Sequence, residues 1–521
     1  MVTTMKDILI GLDVGTTATK AVAFDLAGVA RAEASSGYGL LTRGQGWVEQ
    51  DPEALWRAVV EVLRAVAGQL GPTDRVQALA QSSQGGTTIP VDAAGAPLGN
   101  AISWMDTRAT EQAAAVRAQV GAEFIRTTTG WPLQAALPLQ HIGWFRDHRP
   151  QLYASARHYL FVNDFIGQRL TGRLCMNPTD AGITQLFSIA TGDWDERLLA
   201  LVGVRRDQLS PVHPAGHLVG PLNAEVATAT GLPAGLPVAN GAHDQYCAAV
   251  GTGVMQPGKV LLSCGTAWVV LAVIDDLEMG LRSGTAIGRH VLDGFWGALR
   301  SIGAVGSTLE WLIDNVWGGR AAGAGRADLY AAINAGAARA APGAGGLLCY
   351  PLAGGHAASF GPAYGGFVGL SLPHTRDDMA RAVMEGSACE LRWAVSEMRQ
   401  AGIDVAELRM VGGAARSHIW PQIVADVTAI PVVLPAMSQA ASRGAAILAG
   451  TAVGLFRDPQ AGFAAFQGAE TSLVPDPAVR QLYDDMFATY QELSTALTDR
   501  TSRPIAKSQP PNPILEESQD G

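Results

Sequence analysis

Charge is scarce in this chain. Only 16% of its 521 residues are Asp, Glu, Lys or Arg, and 37 basic against 47 acidic residues leave a formal net charge of −10. No basic stripe exists to neutralise a phosphate backbone, which argues against nucleic acid as a partner; the acidity serves solubility. Cysteine is scarcer still. The five residues Cys175, Cys247, Cys264, Cys349 and Cys389 are far apart and include no Cys-x-x-Cys pair. A disulfide framework or a zinc site is therefore not expected, and reduced thiols of a cytoplasmic protein are. Long apolar runs are missing as well. None is long enough to span a bilayer, and Met1–Asp7 does not read as a signal peptide, so the expectation is a soluble, cytoplasmic chain with no membrane partner. A Gly-x-x-x-x-Gly-Lys-Ser/Thr run is also absent, which excludes a Walker-type phosphate loop.

What is present is apolar and rich in turns. Hydrophobic residues make up 48% of the chain, and there are 61 glycines. That is ample material for two domains of roughly 250 residues each, since a single core stops growing near that size. Two segments share one plan. Ile8–Thr17 is an apolar strand running into a Gly-Thr turn, followed by the strand Ala21–Phe24. Val260–Ala267, followed by Val269–Val273, repeats it. Both predict strand–turn–strand hairpins that open two related domains, with Gly251–Gly258 as the crossover. Asp51-Pro52-Glu53 predicts a helix start, with Leu55, Val59, Val60 and Leu63 on its apolar face, and Asp377-Asp378-Met379 predicts another. Strands alternating with such helices make the fold α/β. Domains are expected at 1–247 and 248–500. The Pro- and Ser-rich stretch 501–521 is expected to be a disordered tail.

Several residues can carry chemistry. Asp13 lies between Gly11 and Gly15 and is followed by Thr16 and Thr17. A glycine turn lets backbone N–H groups approach phosphate oxygens, hydroxyls add donors, and a neighbouring carboxylate suits hydrated magnesium. An ordinary hairpin would use the same residues to close its turn. Gly265-Thr266 offers a second set of donors. The first loop opens a strand rather than a helix, unlike a dinucleotide-binding fingerprint. Asp244, after the apolar Leu236-Pro237-Val238, can take a proton from a hydroxyl, with His243 as a rival base. Gly412-Gly413 between a strand and a helix leaves room for a nucleobase, or simply turns the chain. Trp104, Asp106 and Arg108 can grip a polyol by stacking and paired hydrogen bonds, or form a buried structural ion pair.

Taken in order, these segments resemble the FGGY carbohydrate kinases. The match runs from about Ile8 to about Phe456. It includes Gly11–Thr17, Gly46–Pro52, Ala101–Arg108, Arg169–Gly172, Gly231–Gly235, His243-Asp244-Gln245, Arg381–Gly386, Gly412–Ser417 and Gly444-Ala445-Ala446. The resemblance implies two ribonuclease H-like domains of the actin and hexokinase type with an interdomain cleft. It implies ATP and Mg2+ as cofactors, a sugar or polyol as substrate, ADP as product and, by family habit, a homodimer. Asp13 would position the metal and Asp244 would be the general base. Thr16, Thr17, Gly265, Thr266, Gly306, Gly413 and Ser417 would bind nucleotide. Gln84, Gly85, Gly86, Trp104, Asp106, Arg108, Asp244 and Gln245 would bind substrate.

The departures fall where substrate is chosen. Gly85-Gly86 stands where glycerol kinases carry Arg-Glu and xylulokinases Met-His, leaving an open region suited to a longer or less polar substrate. Ala136, His141, Gln439 and the run Gly354–Ala358 also differ from common family residues. The expected activity is transfer of the ATP γ-phosphate to a ketose or polyol, in the manner of a xylulokinase. Glycerol, erythritol or a signalling carbohydrate are alternative acceptors, and a non-catalytic sugar or nucleotide sensor of the same fold is the rival from another class.

Overall fold

The computed structural model describes residues 5–44, 46–318, 325–352, 365–437 and 439–501. The run Gly354–Ala358 and nearly all of the expected tail lie outside them. The chain is a two-domain α/β protein, and within it two sheets follow one plan. The first contains β1 (Lys6–Val14), β2 (Ala18–Asp25), β3 (Ala30–Gly37), β4 (Asp74–Ser83), β5 (Leu218–Pro221) and β6 (Pro237–His243), in the spatial order β5-β6-β4-β1-β2-β3. The second contains β7 (Gly258–Cys264), β8 (Trp268–Ile274), β9 (Ala286–Arg289), β10 (Trp296–Ile302), β11 (Val405–Gly412), β12 (Val432–Pro435) and β13 (Glu470–Leu473), in the order β9-β10-β8-β7-β11-β12-β13. In each sheet an antiparallel hairpin leads, and two further strands then add in parallel beside its first strand.

The hairpins expected from sequence are β1–β2 and β7–β8. Ile8, Leu9, Ile10 and Leu12 are all fully buried, as a strand covered on both faces requires. One face of β1 meets the helix α1 (Pro52–Gln69). There the Asp51 side chain accepts from the Glu53 N–H, Pro52 sits in the first turn, and Leu55, Val59, Val62, Leu63 and Val66 point inward. Two shorter helices, α2 (Pro138–His148) and α3 (Pro178–Ile183), lie along the chain before β6, and α4 (Asp244–Thr252) begins directly after it. The expected division at residue 247 passes through α4, and each side of it carries one of the two sheets.

Cα packing groups the described residues into two compact units, one from 1–301, 394–425 and 430–475, the other from 302–393, 426–429 and 476 onward. Both sheets belong to the first, except for the last residue of β10. Its other face of β1 meets α5 (Ala440–Ala452), a helix of small residues that also packs against α4. A Cβ on Gly11 would run into the Ser442 carbonyl, and one on Gly444 into the Cys247 carbonyl. Backbone touches backbone at both places, which only glycine permits. In the second unit, Arg381 is buried against Glu385 at 2.7 Å, and the Tyr483 hydroxyl donates to the same carboxylate at 2.8 Å. Tyr350 and Tyr490 stack there with centroids 4.2 Å apart.

Gly444→Val forces α5 away from α4 and should lower stability by about 3 kcal/mol, the upper range for overpacking. The thermal midpoint checks this, and an unchanged midpoint would contradict the backbone contact.

Candidate active site

Three parallel strands deliver the polar residues to one edge. In the register of β1 on β4, Asp13 pairs with Ser82 and Val14 with Ser83; in that of β6 on β4, His243 pairs with Ser83. Asp244 is the first residue of α4, immediately past β6. Carboxyl ends of parallel strands are where open α/β sheets place their ligands. Asp13 Oδ1 accepts from the Ser82 hydroxyl at 3.0 Å, which leaves Oδ2 for a ligand. Burial pushes the Asp13 carboxyl up to about 6, the charge of Asp244 adds to the rise, and Ser82 and Lys20 oppose it.

The turn between β1 and β2 is tied down on several sides. Gly15 N–H donates to the Ala18 carbonyl, Gln50 Nε2 to the Thr16 carbonyl at 2.8 Å, and Trp104 Nε1 to Thr16 Oγ1 at 3.1 Å. Thr17 is exposed, and Trp104, 42% exposed, presents its ring. Gln84 donates to Gln50 at 3.0 Å, and its own Oε1 has no hydrogen-bond partner among the described residues.

Around Asp244 the same condition recurs. Asp244 Oδ1 lies 3.2 Å from His243 Nδ1 but makes no hydrogen bond there, and Gln245 Oε1, Asp180 Oδ1 and Trp131 Nε1 are likewise buried without partners among the described residues. Asp180 and Trp131 were not expected from sequence. Asp180 is held by Asn177, which gives it a hydrogen bond of 2.7 Å, and burial raises its carboxyl well above the usual range, with the charge of Asp244 adding. Thr179 beside it accepts from the His243 N–H at 2.8 Å. The one signal in the sequence was Asn177-Pro178, a helix start that aims this turn toward β6.

The open region expected at Gly85-Gly86 is not there. A Cβ on Gly85 would lie 2.5 Å from the His243 ring and 2.8 Å from Ile183, and one on Gly86 3.0 Å from Trp104 and 3.4 Å from Leu137. Side chains from β6, α3, the Trp104 segment and Leu137 just before α2 fill the space that a side chain at 85 or 86 would take. Asp106 and Arg108 are both buried and engaged with each other, Arg108 Nη2 to Asp106 Oδ2 at 2.7 Å, while Arg108 Nη1 pairs with Glu49 at 2.8 Å.

The second sheet gathers another expected group. Gly265 and Thr266 are exposed in the β7–β8 turn, and the Gly413 N–H donates to the Cys264 carbonyl at 2.8 Å, placing Gly413 beside that turn. Ser417 Oγ accepts from Trp420 N–H at 3.0 Å, starting the helix Trp420–Thr428. Gly306 belongs to the second unit, in the helix Val305–Asn315.

Among the described residues no group of three or more His, Cys, Asp or Glu side chains could hold a metal alone. Asp13 with a free oxygen fits magnesium nonetheless, because that ion keeps waters and is shared between one or two carboxylates and substrate phosphates.

A duplicated hairpin-led sheet with an acid at each of two strand ends defines the class of actin- and hexokinase-type ATPases. Residues 8–251 match the N-terminal domain of the FGGY family of carbohydrate kinases, and residues 260–453 match its C-terminal domain. The chain belongs to that family and is a sugar kinase, a phosphotransferase that uses ATP. It is 30% identical to the autoinducer-2 kinase of Yersinia enterocolitica over 87% of this chain and 88% of that one. It is 28% identical to the gluconokinase of Bacillus subtilis over 85% and 87%. Among solved structures, the xylulose kinase of Rhodospirillum rubrum superposes with a TM-score of 0.83 at 30% identity, covering 95% of this chain and 100% of that one.

Asp13 generates a pH dependence. Its folded value, about 6, lies above the usual 3.8, so the stability it contributes is full below about 4 and is lost as pH rises through 6. In magnesium-free buffer, Asp13→Asn should therefore be more stable than the wild type at pH 8, by about 3 kcal/mol, and converge with it near pH 4. A wild type that melts higher at pH 8 would contradict this.

Proposed function

We propose that this kinase phosphorylates a hydroxyl of a neutral ketose or polyol, in the manner of a xylulokinase, with Asp244 as the general base. The observation that carries the reading is the set of buried, unpartnered groups around Asp244. Gln84 Oε1, Asp244 Oδ1 and Gln245 Oε1 are all acceptors, and an unpartnered buried acceptor is costly until a donor arrives. Hydroxyl groups supply such donors. A carboxylate substrate, such as the one named for the Bacillus subtilis relative, would meet the Asp244 carboxylate with no Lys or Arg among these groups to offset the repulsion.

The chemistry follows from the placement. A substrate hydroxyl gives its proton to Asp244 as its oxygen bonds to the γ-phosphorus and the bond from that phosphorus to the ADP oxygen breaks. Magnesium, when bound, would neutralise charge on the phosphates. Asp13 would hold the metal, with Ser82 fixing one of its carboxylate oxygens. Thr16 and Thr17 meet phosphate from one turn, and Gly265, Thr266 and Gly413 meet nucleotide from the other. Trp104, oriented by its bond to Thr16, covers the C–H face of the sugar. With Gly85 and Gly86 closed off, His243, Ile183 and Trp131 bound the substrate in place of side chains at those two positions.

ADP release measured across xylulose, ribulose, erythritol, glycerol and gluconate should favour the neutral acceptors over gluconate. Asp244→Asn should lower kcat roughly 10³-fold, the range for a general base, while ATP binding persists. Nil release with every acceptor despite sugar binding would turn the reading to a sensor, and full activity in Asp244→Asn would remove the base.

A further inference from the structure

A cavity of about 390 Å³ opens on the first unit behind the segment that carries Trp104. Its floor is aromatic. Trp47 and Trp144 meet edge to face with centroids 5.5 Å apart, and the Arg108 guanidinium lies 3.9 Å above the Trp47 ring. The floor is also fixed. Glu49 receives Arg108 at 2.8 Å on one oxygen and Asn100 Nδ2 at 2.9 Å on the other, so four side chains hold one another before any ligand arrives.

The rim is cationic. Arg43 and Arg149 line the opening, both are exposed, and neither side chain makes an ion pair or hydrogen bond among the described residues. Arg108 is already matched by Glu49 and Asp106, which leaves Arg43 and Arg149 as cations with no carboxylate partner at this opening, in a chain whose net charge is −10. That local excess selects an anion, and free guanidinium groups match phosphate oxygens in pairs. Trp47 offers a ring to C–H groups, and Glu49 and Asn100 offer polar atoms to hydroxyls. We propose that this cavity binds a phosphorylated monosaccharide, with its phosphate between Arg43 and Arg149 and its ring over Trp47. The product class of a sugar kinase would thus have a second place to bind, away from Asp244. Asp106 accepts from the Val48 N–H and from Arg108, which joins this floor to the backbone leading to Trp104.

Isothermal titration of the full chain with ribose 5-phosphate, ribose and inorganic phosphate tests the proposal. The ester should bind clearly more tightly than either fragment. The double variant Arg43→Gln, Arg149→Gln, which breaks no internal contact, should weaken the ester roughly tenfold or more through lost charged hydrogen bonds. Trp47→Phe should keep part of that affinity. Equal affinity in the double variant would place the ester elsewhere, and no binding to the wild type at millimolar ester would remove the site. Inorganic phosphate binding as tightly as the ester would remove the sugar from the proposal. Any of these three results overturns it.

Discussion

The register of three parallel strands governs this protein. Asp13 stands beside Ser82 on β4, Ser83 stands beside His243 on β6, and Asp244 follows in the next residue. A slip of one residue on β1 would turn Asp13 to the opposite face and present Leu12 or Val14 instead. The register is held because Ile8, Ile10 and Leu12 must stay buried against α1. Apolar burial on one side of the strand thus sets the position of a charge at its end.

That position is expensive for the carboxylate. Asp13 and Asp180 are both raised by burial, and the charge of Asp244 raises each further. A site that crowds acids in this way is destabilised until cations or hydroxyl donors enter, the usual relation between a functional site and the fold that carries it. The close contacts of α5 with β1 and α4, made possible by Gly11 and Gly444, supply rigid packing beneath it.

Much of this was legible in the sequence, for identifiable reasons. The two hairpins announced themselves because an apolar run ending in Gly-Thr and resuming as a strand has few other meanings. Asp51-Pro52 marked the start of α1 through a cap and a fixed φ. The placement of Asp13 and Asp244 at strand ends was legible because each comes at the close of an apolar run. Asp180 and Ser82 were not, since nothing local shows which strand end will face which turn. Gly85-Gly86 was misread as open space because a missing side chain does not reveal what fills its place; His243, Ile183, Trp104 and Leu137 do. Asp106 and Arg108 left two readings open, and the third member, Glu49, is more than fifty residues away.

The central claim is that Asp13 is the metal-positioning end of this strand register and Asp244 its proton-accepting end. ADP release by the wild type and by Asp13→Asn, followed across a magnesium titration at fixed ATP, tests it most directly. The account predicts that the variant needs roughly tenfold more magnesium or higher, as when a metal site loses a ligand or its support, with ATP binding in magnesium-free buffer unchanged. A magnesium requirement identical in the two proteins would contradict it.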